Sequence, residues 1–254
     1  MSGTAFVTGA SRGIGLSLVQ QLLRRFPTLK VAAASRSAAT SPELAALAAE
    51  HPGRLLPTEI DMADEASITA AAAAAVGKGE SCPLLFHGAA MMHPSGKGEN
   101  SVGRLAAADM GAVMATNVVG PALLTGALWP ALRRAGKGTS GAAQAKVVAV
   151  GAGVGSVGTN AAGGWYSYRL SKTALNALVK NLAIEGFRYN IVTSCMYPEM
   201  VDTAFAAPYV KNNPYDVLRS PDEAAQRMLD LIVGLDGSRS GSFVNIWSNE
   251  DIPF

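Results

Sequence analysis

The sequence predicts an α/β fold in which one parallel sheet is covered by helices on both faces. Short β-branched runs alternate with longer helical patterns along the whole chain, and right-handed crossovers then place consecutive strands side by side. No linker or internal repeat interrupts this order. The 254 residues, 49% of them hydrophobic and 16% charged, are enough to bury a large core. We therefore expect a single domain that spans residues 1–254.

Seven strands are predicted from runs rich in β-branched and apolar residues. They cover residues 4–8, 31–35, 55–60, 84–87, 146–150, 191–196 and 242–246. Each run is short and is bounded by Gly, Pro, Asp or Ser. Such strands are expected to lie buried between two helical layers.

The helices follow from apolar spacing and from capping signals. Ile14, Leu18, Leu22 and Phe26 recur every four residues, and Ser41-Pro42-Glu43 has the cap, the proline and the acid of a helix start. The predicted helices cover residues 13–26, 63–76, 105–132, 166–187 and 221–233, with one more beginning at Ser41. The helix over 105–132 is expected to be interrupted around Gly120-Pro121. Residues 93–104 and 135–145 are predicted loops.

Charge and cysteine content exclude several function classes. The formal net charge is +2 with no long basic run, so nothing indicates nucleic acid or an anionic membrane surface as a partner. Apolar stretches are interrupted by Gly, Pro or charge, and no secretory signal follows Met1. Cys82 and Cys195 lack metal-ligand spacing and are expected to be buried thiols, with no metal site. We expect a cytoplasmic protein, or an organellar one if a transit peptide has been removed.

A glycine-rich turn joins the first strand to the first helix. The stretch Thr8-Gly9-Ala10-Ser11-Arg12-Gly13-Ile14-Gly15 has a strand directly before it and a helix directly after it. Glycines let the backbone approach a pyrophosphate, and the helix N-terminus offers unpaired N–H groups to it. The turn predicts a dinucleotide site of the Rossmann type, built by Gly9, Ser11, Arg12, Gly13, Ile14 and Gly15.

With this Gly-x₃-Gly-x-Gly spacing the chain resembles the short-chain dehydrogenase/reductase family. Later matches, in the family's order, are Asp61, Asn117-Val118-Val119-Gly120-Pro121, Tyr168-x₃-Lys172 and Pro198-x₂-Val201-x-Thr203. The Gly-rich run before Tyr168 and the aromatic C-terminus resemble the C-factor and Sniffer-type carbonyl reductases. In that sub-group the C-terminal tail packs near the site or a subunit interface. The resemblance implies a homodimer or homotetramer.

NADP(H) is the predicted cofactor. The second strand ends in Ser35-Arg36-Ser37 without an acid, and Arg12 in the glycine turn is a second cation for a 2′-phosphate. The alternative is that both arginines are merely solvated. The resemblance implies that the Asp61 carboxylate and the Met62 backbone meet the adenine and that Ala89 borders the cofactor. It also implies that Pro198, Val201 and Thr203 hold the nicotinamide carboxamide.

Tyr168 and Lys172 are the predicted acid and its partner. They lie four residues apart on one helical face, where an ammonium lowers the pKa of a phenol towards the working range. Tyr166 has no lysine four residues on and is expected to line the substrate side. The resemblance implies that Asn117 stabilises a helix distortion and supports a water chain to Lys172. The alternative for Asn117 is a polar helix residue bonded to backbone.

The family's substrate-binding serine is absent. Its place after the fifth strand is taken by Ala152, which cannot donate a hydrogen bond. Loss of one such donor lowers the rate by about 10²–10³-fold where it acts as an oxyanion donor does. Ser156 and Thr159 are candidate substitutes, and the alternative is that they satisfy local backbone.

Two further positions depart from the family pattern. His87 stands where the family usually has an asparagine, and it is expected either to bond neighbouring structure or to relay protons. Glu199 stands where the family usually has glycine after Pro198. It is expected to border the nicotinamide face, where it would favour a polar or basic substrate, or to point to solvent.

Three functions remain open from the sequence. The first is an NADPH-dependent reductase of a small ketone, aldehyde or quinone, with Tyr168, Lys172, Asn117 and Ser156 as its catalytic residues. The second is a nucleotide-binding regulatory or signalling protein with little turnover, because Ala152 removes the donor. The third is an interaction protein without a cofactor, against which the intact glycine turn argues. The loop at residues 204–220 has no distinctive chemistry that would identify the substrate.

Overall fold

Seven parallel strands form one sheet in the computed structural model, which describes residues 1–137, 145–212 and 217–254. The spatial order of the strands is β3-β2-β1-β4-β5-β6-β7. The order in which the chain adds strands reverses between β1 and β4. Ligands of such sheets bind at this point, outside the carboxyl ends of the strands. The bounds are Gly3–Thr8 (β1), Leu29–Ser35 (β2), Leu55–Glu59 (β3), Leu84–His87 (β4), Ala145–Val150 (β5), Ile191–Tyr197 (β6) and Ser242–Asn245 (β7). The predicted seven-stranded Rossmann fold is confirmed.

Seven α-helices connect and cover these strands in the described residues. They are Gly13–Arg25 (α1), Pro42–Glu50 (α2), Glu65–Ala75 (α3), Ala107–Met114 (α4), Gly120–Gly136 (α5), Tyr166–Gly186 (α6) and Pro221–Gly234 (α7). The side chain of Ser41 accepts the Leu44 N–H, as the capping signal predicts. The third helix begins two residues later than predicted because Asp64 caps it by accepting the Ala66 N–H. The predicted loop at 135–145 falls largely on residues 138–144, which lie outside the described residues.

The core lies on both faces of the sheet. Against one face pack Leu18 and Leu22 of α1 with Met228 and Ile232 of α7. The other face is covered by α3, α5 and α6, whose buried side chains include Ile68, Leu124, Leu128, Leu132, Leu175 and Val179. Apolar helix stripes face the apolar sheet on each side and bury the central strands β1, β4 and β5 almost completely.

The predicted interruption around Gly120-Pro121 is present as a π-helical turn rather than as a break in the helix. The helix runs without a break from α4 through a π-helical turn, Ala115–Val119, into α5. Proline lacks an N–H donor, and it is tolerated here because it lies at the start of α5, directly after the widened turn. A Cβ at Gly120 would lie 2.2 Å from the Met62 carbonyl oxygen, so glycine is required where the helix passes this backbone.

The joined helical segment Ala107–Gly136 is long and apolar enough to cross a membrane by length and composition. The sequence-based expectation that no stretch reaches this length is therefore not met. Leu124, Leu128 and Leu132 of this segment are nevertheless buried against the sheet. Burial against a sheet is typical of a core helix. Core helices also reach the length and the hydropathy of a membrane-spanning helix.

Candidate active site

The glycine turn is folded tightly against the end of β4. Gly9 has a φ of 71°, and a Cβ there would lie 2.8 Å from the Ala89 nitrogen. A Cβ at Gly15 would lie 2.2 Å from the Gly9 carbonyl oxygen. The Thr8 hydroxyl oxygen accepts the N–H groups of Gly88 and Ala89 at 3.1 and 3.2 Å. These hydrogen bonds link β1 to the loop after β4. The sequence does not predict a role for Thr8, because a threonine at a strand end gives no special signal.

The loop after β6 lies beside the same turn. A Cβ at Gly13 would lie 3.2 Å from the Thr203 Cγ2 atom, so the first helix and this loop are in close approach. Val201 is buried, and the Pro198 carbonyl oxygen accepts the Trp247 indole N–H at 2.9 Å. Residues of the two predicted segments are therefore neighbours, and we refer to the region between them as the cleft. Ser11 and Ile14 lie in the turn and at the helix start and are partly exposed.

The tip of β2 carries polar groups without a protein partner. The Ser35 hydroxyl is buried and makes no hydrogen bond with any described residue. Arg12 and Arg36 are exposed, and neither forms an ion pair with a carboxylate in the described ranges. Asp61 lies two residues after the end of β3, and its Oδ1 accepts the Ala63 N–H at 2.9 Å. Met62, its neighbour, is buried.

Tyr168 and Lys172 lie in the first two turns of α6, and both are buried. The Lys172 Nζ atom lies 5.6 Å from the centre of the Tyr168 ring and donates a hydrogen bond to the Val150 carbonyl at 2.8 Å. Burial lowers the pKa of Lys172 to about 8. Burial, with smaller effects of Tyr209 and Cys195, raises the pKa of the Tyr168 phenol above its ordinary value. This direction is opposite to the one expected from the lysine alone, so the phenol keeps its proton at neutral pH.

Asn117 occupies the π-helical turn and is buried. Its Oδ1 accepts the Met91 N–H at 2.8 Å, and its Nδ2 donates to the Met91 carbonyl and, at 3.0 Å, to the Ser171 hydroxyl. The Ser171 hydroxyl donates in turn to the Tyr168 carbonyl at 2.8 Å. Asn117 thus joins the distorted helix to the loop after β4 and to α6. It lies in the helix distortion and also bonds to backbone, so features of both sequence-based alternatives are present.

The Ser156 hydroxyl is committed to the C-terminus. It donates to the Pro253 carbonyl at 2.5 Å, and its oxygen accepts the Thr159 N–H at 3.2 Å. Next to it, the Gly158 N–H donates to the Phe254 carbonyl. The Phe254 ring stacks on the Phe243 ring, with 6.3 Å between the centroids. The tail therefore packs on the loop after β5. The geometry contradicts the prediction that Ser156 donates to a substrate carbonyl, because its single hydrogen is already used.

The space around Ala152 is bordered by glycines that face β6. A Cβ at Gly151 would lie 2.8 Å from the Cys195 sulfur, and one at Gly153 would lie 3.3 Å from the Tyr197 hydroxyl oxygen. Burial raises the pKa of the Cys195 thiol to about 12, so the thiol is uncharged beneath the site. Both cysteines are buried and unpaired as predicted, and the described residues contain no cluster that could hold a metal.

An aromatic wall stands beside Tyr168. The rings of Tyr168 and Phe205 lie 6.1 Å apart, and those of Trp165 and Tyr209 lie 4.8 Å apart. The Tyr209 hydroxyl donates to the Gly96 carbonyl at 2.9 Å, which ties the wall to the loop after β4. Tyr166 is partly buried. Aromatic rings of this kind provide a surface for contact with apolar or planar groups.

His87 is a buried neutral residue bonded to α5. Its Nε2 lies 2.9 Å from the Thr125 hydroxyl oxygen, and that hydroxyl donates to the Pro121 carbonyl at 2.7 Å. Nε2 must therefore carry the hydrogen, while Nδ1 has no partner among the described residues. Burial lowers the pKa of His87 to about 3. The structural alternative is favoured over the proton relay, because the ring does not charge near neutral pH.

Glu199 has the backbone conformation of the glycine that it replaces. Its φ is 58°, in the left-handed region that favours glycine. Its Oε1 accepts a hydrogen bond from the Asn245 side chain at 2.8 Å. The carboxylate is therefore partly exposed and bound to the end of β7, and its place beside the nicotinamide face stays a prediction.

The sheet, the glycine turn and the Tyr168–Lys172 pair together define an oxidoreductase of the Rossmann type. The family model of the short chain dehydrogenases matches residues 3–214, and the chain belongs to this family. It is 32% identical to C-signal of Myxococcus xanthus over 143 residues, which are 56% of this chain and 78% of that protein. Among solved structures it is similar to an NADPH-bound carbonyl reductase from chicken fatty liver, at 30% identity and a TM-score of 0.85, over 100% of this chain and 94% of that one. It is also similar to carbonyl reductase Sniffer of D. melanogaster, at 25% identity and a TM-score of 0.86, over 100% of both chains. The chain therefore lies near the carbonyl reductase sub-group.

Proposed function

We propose that the protein is an NADPH-dependent reductase of a small carbonyl compound, that is, a ketone, aldehyde or quinone. The observation that carries the proposal is the Tyr168 phenol, which is buried, keeps its proton at neutral pH and stands next to Lys172. A phenol that holds its proton beside other aromatic rings is suited to protonate a carbonyl oxygen. The NADPH-bound carbonyl reductase of similar fold supports the same class of reaction.

The residues of the cleft fit a phosphorylated dinucleotide. At Gly9 and Gly15 a Cβ would clash with neighbouring backbone, so only glycine allows this tight turn. A turn of this kind exposes the backbone N–H groups that bind a pyrophosphate. At the tip of β2, the unpartnered Ser35 hydroxyl and the Arg36 guanidinium are donors for a 2′-phosphate, and Arg12 would approach it from the glycine turn. Asp61 and Met62 would border the adenine, with Ala89 alongside. Pro198, Val201 and Thr203 would hold the nicotinamide end.

Bound NADPH would supply the hydride that reduces the carbonyl carbon. Tyr168 donates its proton to the carbonyl oxygen, which becomes the hydroxyl of the alcohol. The raised pKa keeps this proton in place until the more basic alkoxide develops. Lys172 places an ammonium near the phenolate that remains, and Asn117 holds the start of α6 against the distorted helix. The phenolate then recovers a proton from solvent.

A second candidate function is a nucleotide-binding regulatory protein with little turnover. Two observations favour it, namely the missing hydroxyl at Ala152 and the engagement of Ser156 by the C-terminal tail. The same fold would then bind NADPH without polarising a carbonyl. The similarity to C-signal adds a relative outside the named reductases.

NADPH oxidation against a series of ketones, aldehydes and quinones separates the two candidates. We expect turnover by the wild type and a fall of at least about 10²-fold in Tyr168→Phe, because the proton donor is lost. Tyr189→Phe is the matched control, since Tyr189 packs on Trp129 and Arg133 near the amino end of β6. Equal rates in wild type and Tyr168→Phe would refute the mechanism. NADPH binding without turnover on any carbonyl would favour the regulatory protein.

A homodimer or homotetramer completes the proposal. Val119, Leu170 and Ile184 are exposed at 49%, 51% and 69% on the two long helical segments, which are the elements expected to pair between subunits. Light scattering of the purified protein measures the mass in solution. A monomer at micromolar concentration would contradict this expectation.

A further inference from the structure

The start of α6 is held from a distant part of the chain by Glu99. Glu99 lies in the loop between β4 and α4, 68 residues before Ser167, and only 6% of it is exposed. Both of its carboxylate oxygens accept the Ser167 N–H at 3.3 Å, and Oε1 also accepts the Ser167 hydroxyl. Its backbone carbonyl accepts the Trp165 N–H at 2.6 Å. Three groups of the first turn therefore depend on one residue.

The first turn of α6 lacks a cap of its own. Trp165 precedes the helix, offers no side-chain cap and has a φ of 49°, in the left-handed region that non-glycine residues rarely adopt. A carboxylate at this place satisfies an unpaired N–H and interacts favourably with the helix dipole. The Trp165 ring also covers Gly98, where a Cβ would lie 2.7 Å from it. The loop that carries Glu99 thus holds both the backbone and the ring of Trp165.

Hydrogen bonds around Glu99 keep its carboxylate ionised. His93 Nε2 lies 3.9 Å from its Oε1 and 3.5 Å from the Asp109 Oδ2, so one imidazole stands between the loop carboxylate and α4. Burial alone would raise the pKa of Glu99. Hydrogen bonds from the Ser167 side chain and from backbone N–H groups, with a smaller effect of His93, outweigh burial and leave that pKa below its usual value.

We propose that Glu99 is a positioning residue, which fixes the first turn of α6 and through it the Tyr168 hydroxyl. Tyr168 follows Ser167 directly, so a shift of Ser167 moves the phenol against the substrate. This inference rests on the proposed reductase function. A misplacement of about 1 Å lowers turnover by about 10²-fold in a well-oriented site.

The test compares Glu99→Ala, Glu99→Gln and Ser167→Ala with the wild-type holoenzyme. Glu223→Ala is the matched control, because Glu223 accepts the N–H and the hydroxyl of Ser220 at the start of α7 with the same chemistry. The measurements are kcat, the affinity for NADPH, and amide hydrogen exchange in residues 166–170. Exchange reports on the helix start whether or not the protein turns over a substrate.

We expect Glu99→Ala to lower kcat by about 10- to 100-fold, to keep NADPH affinity and to speed exchange in residues 166–170. In Glu99→Gln, kcat and the exchange rate return most of the way to wild-type values, since the amide oxygen still accepts a hydrogen bond from Ser167. In Ser167→Ala, kcat and the exchange rate lie between those of wild type and Glu99→Ala. Glu223→Ala leaves kcat and this exchange unchanged. Wild-type kcat and exchange in Glu99→Ala would overturn the proposal, and so would a glutamine variant as impaired as alanine with normal exchange. Faster exchange in Glu99→Ala, restored by glutamine, in a protein without turnover would support the positioning and reject the reductase function.

Discussion

Protonation of His87 should make the fold sensitive to acid. The ring is 4% exposed, its only hydrogen bond to a described residue is to Thr125, and burial lowers its pKa from 6.5 to about 3. The unfolded chain therefore binds a proton below pH 6.5, whereas the folded protein does not until about pH 3. Stability from this group is complete above pH 6.5 and is lost as the pH falls. By linkage, the loss at pH 5 is about 2 kcal/mol relative to neutral pH.

Urea unfolding at pH 7.5 and at pH 5 measures this loss in wild type and in His87→Gln. The glutamine amide can donate to the Thr125 hydroxyl, as the imidazole does, but it does not titrate. Carboxylates contribute equally to both proteins, so the difference between them isolates His87. We expect the free energy of unfolding of wild type to fall by about 2 kcal/mol more than that of the variant. An identical fall in the two proteins would refute the buried, neutral imidazole.

Three further predictions concern the cleft. Arg36→Ala should weaken NADPH binding by about 10- to 100-fold and leave NADH binding unchanged in fluorescence titrations, because one charge-assisted bond to the 2′-phosphate is lost; equal losses for both would contradict it. Carbonyl reduction should be constant below pH 8 and fall about tenfold per pH unit above it, because Lys172, with a pKa of about 8, loses its charge there; a flat profile to pH 10 would exclude a role for the ammonium. Ala152→Ser should raise kcat by about 10²–10³-fold with NADPH affinity unchanged; an unaltered kcat would mean that the missing donor does not limit turnover.

The sheet and its helices could be predicted because their signals are local. Strand runs, apolar spacing and the Ser41-Pro42 cap lie within a few residues of the structure that they specify. The interruption around Gly120-Pro121 was predicted, but its form, a π-helical turn, was not. Glycine is required at position 120 because the helix passes close to the backbone of Met62, which is distant in the sequence. The π-helical turn before it lets the helix continue through Pro121 without a break.

The site could be predicted in part for the same reason. Tyr168 and Lys172 share a helix face, and the glycine turn lies between a strand and a helix, so local spacing together with the family resemblance indicates them. The hydrogen bond from Ser156 to Pro253 joins residues 97 apart, and the one that ties Glu99 to Ser167 joins residues 68 apart. No periodicity connects such pairs. Only the packed structure shows that one serine is committed to the tail and the other to a carboxylate.

The gap at Ala152 is best understood from what the nearby serine hydroxyls already do. Ser156 donates to Pro253, Ser167 donates to Glu99, and Ser171 donates to the Tyr168 carbonyl. Each has one hydrogen, so none of these can also polarise a substrate without giving up an existing bond. A substrate carbonyl would then depend on the Tyr168 phenol for both its hydrogen bond and its proton. Such a site favours carbonyls that accept hydride readily, which is why quinones and activated aldehydes belong beside simple ketones in the first assay.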